Sequence, residues 1–318
     1  MTTQPAATRP QPPRPPRAAK PGGPNKAVRR ARTIRRVRLA RHLTQVAFAA
    51  LIIVTAVRHQ GDETSGNPSV DALCPMGAVE TLITWLTTGG FISKIHPSNL
   101  VLGLAIVIST LLVGNAFCGW VCPFGALQDG IAWVRKKLHL PTLTVPPRVD
   151  KALRWGRFAV LALVVYMSVT TAKLWFADYD PYVTLFSLQW IFNFTTAMWP
   201  ALAILAVVIV GAFLVERAFC RYLCPLGAVF SILNRFSLVR IRRSAPTCTS
   251  CKLCDKACPV GIEPAKASPF ASTDCIGCMD CLTTCPVPGA LKLDAPVLLG
   301  LPVKKDAAAP TRAKEAMR

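Results

Sequence analysis

The sequence predicts an all-α integral membrane domain of four transmembrane helices, arranged as two parallel hairpin repeats, followed by a small C-terminal α+β module. Three observations predict it. The 318 residues are 52% hydrophobic, too apolar for an ordinary soluble protein. The apolar residues gather in four stretches, near 43–57, 100–117, 158–172 and 200–215, separated by segments of alternating charge. The last hundred residues are polar and rich in cysteine.

The first 28 residues are rich in Pro, Ala, Arg and Gln and have too few large apolar side chains to fold. With the arginines that follow, they make residues 1–40 a disordered basic tail. The pairs Arg29-Arg30 and Arg35-Arg36 resemble a twin-arginine export signal. No small-residue cleavage site follows the apolar run, so an uncleaved anchor is expected.

Each apolar stretch is about 15 to 18 residues long, short of the roughly 20 that span a bilayer, so flanking interfacial residues must complete each crossing. Charge orients them. Residues 1–41 hold twelve Lys/Arg and no Asp/Glu; 58–98 hold two basic and four acidic residues; 123–157 hold seven basic and two acidic; 174–199 hold only Asp178 and Asp180. The positive-inside rule then places the N-terminus, the loop 118–157 and everything after residue 216 in the cytoplasm. The expected location is the bacterial cytoplasmic membrane, multi-pass, with lipid as the surroundings. The net charge of +21 is thereby explained without nucleic acid, for which no recognition module is present.

Thirteen cysteines are too many and too patterned for core packing. Cys248, Cys251, Cys254 and Cys258-Pro259 form C-x2-C-x2-C-x3-C-P, and Cys275, Cys278, Cys281 and Cys285-Pro286 repeat it. This is the two-cluster bacterial ferredoxin spacing, in which three close thiolates hold one 4Fe-4S cluster and the fourth crosses to the other. One cluster is therefore assigned Cys248, Cys251, Cys254 and Cys285, and the other Cys275, Cys278, Cys281 and Cys258. A zinc ribbon or disulfide framework does not require two complete copies with their prolines, and a reducing cytoplasm disfavours disulfides. The module spans 236–296, and 297–318 reads as a flexible C-terminal tail.

Within the membrane domain, 41–235, the motif FCxxxCPxGA occurs twice, around Cys118 and Cys122 and again around Cys220 and Cys224. In each copy the proline after the second cysteine suits the first turn of a helix. Upstream, Leu73-Cys74-Pro75 runs on to Trp85 and Tyr179-Asp180-Pro181 to Trp190; both are expected on outer loops. Each half thus reads as a span, an outer xP segment, a returning span and a CxxxCP. Such a repeat is parallel, with its axis along the membrane normal. Cys118, Cys122, Cys220 and Cys224 would converge near that axis and could hold a third 4Fe-4S cluster, a copper or zinc ion, a thiol/disulfide pair, or a purely structural contact. Cys74 is read as either a redox thiol, its pKa lowered by the helix start, or a small packing residue.

The double CxxxCP followed by a two-cluster tail resembles the NapH/NosR group of membrane polyferredoxins over roughly residues 40–295. The resemblance implies an electron carrier between a quinol or membrane partner and a redox partner protein. A related branch, CcoG, implies the alternative of a cupric reductase or metal-centre assembly factor. The chain has no room for the outer flavin-binding domain of NosR, and it carries Cys74 in a CPxGA context not associated with NapH. For a quinone, His59 and His96 share one predicted level at the outer edge and could exchange a proton with a head group; the bland reading is that they rest at a polar interface.

Overall fold

A computed structural model describes residues 24–61, 70, 74–88, 98–143, 145–171, 175–192, 194–266 and 272–294. Residues 24–40, expected as part of a disordered tail, are instead helical: α1 (Pro24–Gly61) begins inside the basic segment and runs on through the first apolar stretch, which gives the arginines a helix to extend. Helices α2 (Pro75–Thr88), α3 (Ser98–Val113), α4 (Ala116–Trp120) and α5 (Pro123–Lys137) complete the first half. The second half comprises α6 (Pro147–Leu153), α7 (Gly156–Thr171), α8 (Pro181–Phe186), α9 (Gln189–Phe192), α10 (Trp199–Leu214), α11 (Ala218–Tyr222) and α12 (Pro225–Leu233).

Among the described residues, three helical segments are long and apolar enough to cross a membrane: Ala31–Gln60, Pro147–Thr171 and Thr196–Leu214. The second apolar stretch forms the 16-residue α3, about 24 Å long at 1.5 Å per residue, which is less than the roughly 30 Å hydrocarbon core. Large apolar side chains such as Leu43, Leu51, Val101, Leu104, Leu163, Val207 and Val210 stand exposed on these helices. That much apolar surface calls for lipid rather than water.

Helices α2, α5, α8 and α12 each start at a proline that follows Cys74, Cys122, Asp180 and Cys224 respectively. Proline fits there because the first helical N–H has no intrahelical partner to lose and φ is already helical. Within and between halves, α1 packs on α5 and α7 on α12, while α3 reaches α12 and α10 reaches α5.

One expectation needs correction. The segments beginning at Cys74-Pro75 and Asp180-Pro181 were expected on outer loops, a membrane away from the CxxxCP cysteines. Instead Cys74 and Asp180 line the same cavity as Cys118, Cys122, Cys220 and Cys224. Helix α2 lies against α3 and α7, burying Ala78, Glu80, Thr81 and Thr84. Its approach to α3 is close, since a Cβ on Gly103 would come 2.5 Å from the Ala78 Cβ. At 14 residues, α2 is too short and too polar on its buried side for hydropathy to separate it from a loop.

The C-terminal module is closed by an antiparallel pair, β1 (Arg240–Arg243) with β2 (Leu291–Asp294), in which Ile241 faces Leu293. Between them lie the short helices α13 (Leu253–Lys256) and α14 (Asp280–Thr284). Its small core joins Ile241, Ala265 and Leu291 to Cys254 and Cys281.

Candidate metal centres

In the tail, Cys248, Cys251, Cys254 and Cys285 line one pocket and Cys258, Cys275, Cys278 and Cys281 another. The backbone explains how. Ser250 and Lys252 in the first C-x2-C-x2-C, and Gly277 and Met279 in the second, all have positive φ, two and four residues after the leading cysteine of each run. This alternation of hand is that of an anion-binding nest, which suits a negatively charged thiolate cluster. None of the thirteen cysteines is joined to another in a disulfide. Among the described residues, no three Cys, His, Asp or Glu side chains close onto the point that a single ion would occupy. Four thiols spread around one pocket fit a multi-iron cluster better than one ion.

The membrane-side cavity measures about 430 Å³ and is lined by Cys74, Cys118, Cys122, Cys220 and Cys224 with Asp180. The two CxxxCP segments have the same build. Cys122 N–H donates to Phe117 O and Cys224 N–H to Phe219 O, each at 2.9 Å. Edge-to-face pairs Phe124–Phe219 and Phe117–Phe230, with centroids 5.1 and 5.9 Å apart, bind the two halves across this site. Gln128 Nε2 donates to Cys220 Sγ at 3.1 Å, a contact that tunes a cluster when the sulfur is a ligand.

Cys74 Sγ lies 3.9 Å from Asp180 Oδ2, and Asp180 accepts from Tyr182 N–H at 2.9 Å. The lowering expected for the Cys74 thiol does not occur. Burial, with the Asp180 carboxylate beside it, pushes that thiol up, and the Met76 backbone N–H at the start of α2 does not compensate.

A buried ionic network that sequence reading missed underlies the site. Arg217, in the left-handed region at φ 51°, directs Nε and NH2 to Asp129 at 2.7 and 2.6 Å, and NH1 to Cys118 O at 2.9 Å. Arg41 bridges Asp129 and Asp280 of the tail, both at 2.6 Å, and donates to Gly119 O at 3.0 Å. Burial raises the Asp129 carboxyl, but the guanidiniums of Arg217 and Arg41 outweigh it and hold its pKa below the ordinary value. In the sequence Arg41 is one of twelve basic residues in 1–41, and nothing local marks Asp129 or Arg217.

The tail docks on this face through Trp120 Nε1 to Gly277 O at 3.0 Å, Asn234 Nδ2 to Thr273 O at 2.7 Å, and Arg154 to Asp274 at 2.8 Å, with Arg157 also on Asp274. His59 is half-buried in the last turn of α1. His96 lies outside the described residues.

Comparison with known proteins follows the same divisions. Residues 95–141 and 197–245, each holding one CxxxCP, match a family model described as a 4Fe-4S binding domain, and residues 240–290 match a 4Fe-4S dicluster domain. YccM of Escherichia coli, named as an electron transport protein, is 29% identical over 224 residues, 70% of this chain and 62% of that one. The chain thus spans less than two thirds of YccM. The uncharacterised protein MJ0750 of Methanocaldococcus jannaschii is 31% identical over 215 residues, covering 67% of this chain and 83% of that one. The ferredoxin-type protein NapH of Haemophilus influenzae is 28% identical over 214 residues, covering 63% and 70%. No solved structure matches. Together with the cysteine architecture, these matches establish that the chain belongs to the NapH/NosR-like family of ferredoxin-type, 4Fe-4S-binding membrane proteins.

Proposed function

We propose that the protein passes single electrons between a membrane partner, either a quinone pool or a membrane protein, and a redox partner protein at its cytoplasmic tail. The observation that carries this reading is spatial. Two four-thiol pockets of a ferredoxin tail sit on a membrane domain whose own CxxxCP thiols line a cavity on the docked side.

In this reading residues 1–40 are a basic segment whose part from Pro24 onward already belongs to α1, 41–235 a four-helix membrane domain, 236–296 the two-cluster domain and 297–318 a tail. The repeat is supported by the matched build of the two CxxxCP segments and by the exchanged packing of α3 on α12 and α10 on α5. The tail ligands are Cys248, Cys251, Cys254 and Cys285 for one cluster and Cys275, Cys278, Cys281 and Cys258 for the other. Cys118, Cys122, Cys220 and Cys224 hold a third. Cubanes, when bound there, supply one-electron chemistry. The protein's own part is to present thiolates, to donate from Gln128 to Cys220 and to balance charge through Arg217 and Arg41. A quinone proton, where one is exchanged, falls to His59 and His96 at the outer edge.

One observation favours the rival copper-handling reading. Cys74 adds a fifth thiol, beside a carboxylate, to a cavity where one cubane needs four. The test is made in proteoliposomes holding the full chain and a membrane quinone, with a reduced, membrane-impermeant viologen supplied on the tail side. Quinone reduction that depends on both Cys251 and Cys122 is expected. Reduction at the same rate in Cys122→Ala would remove the membrane thiols from the route.

A further inference from the structure

The two CxxxCP segments are alike in build but unlike in what they touch. In the first, Phe117-Cys118-Gly119-Trp120, Cys118 packs against the tail group of Val260, Ile262, Ile276 and Cys278, together with Cys258 and Cys275. Gly119 meets the tail backbone directly. A Cβ there would lie 2.4 Å from Ile276 O and 3.2 Å from Cys278 N. Trp120 closes the contact by donating to Gly277 O at 3.0 Å, while Arg41 holds Gly119 O from behind and Asp280 in front.

In the second segment the matching positions are Arg221 and Tyr222. Their side chains turn to Asp150, at 2.5 Å from Arg221 and 2.8 Å from Tyr222. The Arg221 guanidinium lies over Gly261 of the tail, and Cys220 faces Gln128. Backbone-to-backbone contact beside a cysteine therefore occurs on the first segment and is replaced by a charged side chain on the second.

We propose that Cys118 and Gly119 form the electron port between the membrane cavity and the tail site of Cys258, Cys275, Cys278 and Cys281, with Gly119 the positioning residue that sets its closeness. The site of Cys248, Cys251, Cys254 and Cys285, whose Cys251 is exposed, is then the outermost one and meets the soluble redox partner. In each transfer one electron leaves one site, which is oxidised, and enters the other, which is reduced, with no proton moved. Electron tunnelling falls steeply with separation, so a single methyl group at a backbone contact is enough to disturb it. The inference rests on the three-centre reading above.

The experiment compares full-length wild type, Gly119→Ala and Gly130→Ala, purified anaerobically in detergent. Gly130 is the control because a Cβ there meets nothing within 4 Å. Iron is counted, and the reduced proteins are examined by EPR for the magnetic interaction between the membrane centre and the adjacent tail centre. Wild type and Gly130→Ala are expected to hold about twelve iron atoms, as three cubanes require, and to show the interaction. Gly119→Ala should keep its iron and show a measurably weaker interaction. Twelve iron atoms with an unchanged interaction in Gly119→Ala overturns the port while leaving the three-centre reading intact. About eight iron atoms in wild type overturns both. Should Gly119→Ala lose iron, Trp120→Phe decides: it removes the bond to Gly277 and part of the indole's bulk while adding no atom at the backbone contact, and a weakened interaction supports the port whereas an unchanged one overturns it.

Discussion

Replacing Asp129 by alanine tests the buried ionic network most severely. Asp129 is the common acceptor for Arg41 and Arg217, with side-chain exposures of 19%, 7% and 1% respectively. The substitution leaves Arg41 with Asp280 but leaves Arg217 with only a carbonyl partner, Cys118 O. Removing one partner of a buried pair typically destabilises by about 3–5 kcal/mol, because the remaining charge is desolvated without compensation. At about 1.4 kcal/mol per tenfold, the opened population of the tail-bearing end rises by roughly two to three and a half orders of magnitude. Native-state proteolysis of the detergent-solubilised protein reads this population when reclosing outpaces cleavage. Arg217→Met alone should show a comparable loss. The double variant Asp129→Ala/Arg217→Met should lose less than the sum, since no buried charge is then orphaned there. A change under about 1 kcal/mol for Asp129→Ala, the range of an exposed pair, or strict additivity in the double variant, would refute the reasoning.

The remaining expectations concern individual sites. Because the Asp129 carboxyl titrates below its ordinary value, its contribution is fully present above the unfolded value of about 3.9 and is lost only as pH falls through the folded value; an onset of proteolytic opening in Asp129→Asn no different from wild type across acidic pH would contradict this. Cys251→Ala should remove the EPR signal of the outermost tail centre while membrane insertion and the docking through Asp274 and Gly277 persist; a reduced variant that still shows two interacting tail centres would reassign the ligands. Cys122→Ala and Cys224→Ala should each lose about four iron atoms and the double variant no more, whereas additive loss would mean that each CxxxCP acts alone. A reporter fused after residue 318 should be active only as a cytoplasmic reporter, and activity of an exported reporter there would invert the topology.

What could be read from the sequence follows from which signals are local. The tail cysteines lie within a few residues of each other and carry their grouping in their spacing, with only Cys258 and Cys285 reaching across. The CxxxCP motif is likewise local, and its repetition 102 residues on marks two halves. Depth in the membrane is not local. Cys74 and Asp180 were recognisable as counterparts, but hydropathy assigns a short, partly polar helix to a loop, and only the packing of α2 on α3 and α7 brings Cys74 into the CxxxCP cavity. The network of Arg41, Asp129 and Arg217 joins three distant segments, and each residue alone resembles an ordinary cytoplasmic charge. Sequence also gives Gly119 no special mark, because its role depends on the tail backbone that folds against it.

In the proposed function the membrane thiols hold a redox centre of their own beneath the two in the tail. Quantifying iron and acid-labile sulfide in the anaerobically purified full chain tests it most directly. About twelve iron and twelve sulfide per chain are expected, falling to about eight of each in Cys122→Ala with both tail signals retained. About eight of each in the wild type, unchanged in Cys122→Ala, would contradict it and leave Cys118, Cys122, Cys220 and Cys224 as thiols or ligands of another metal.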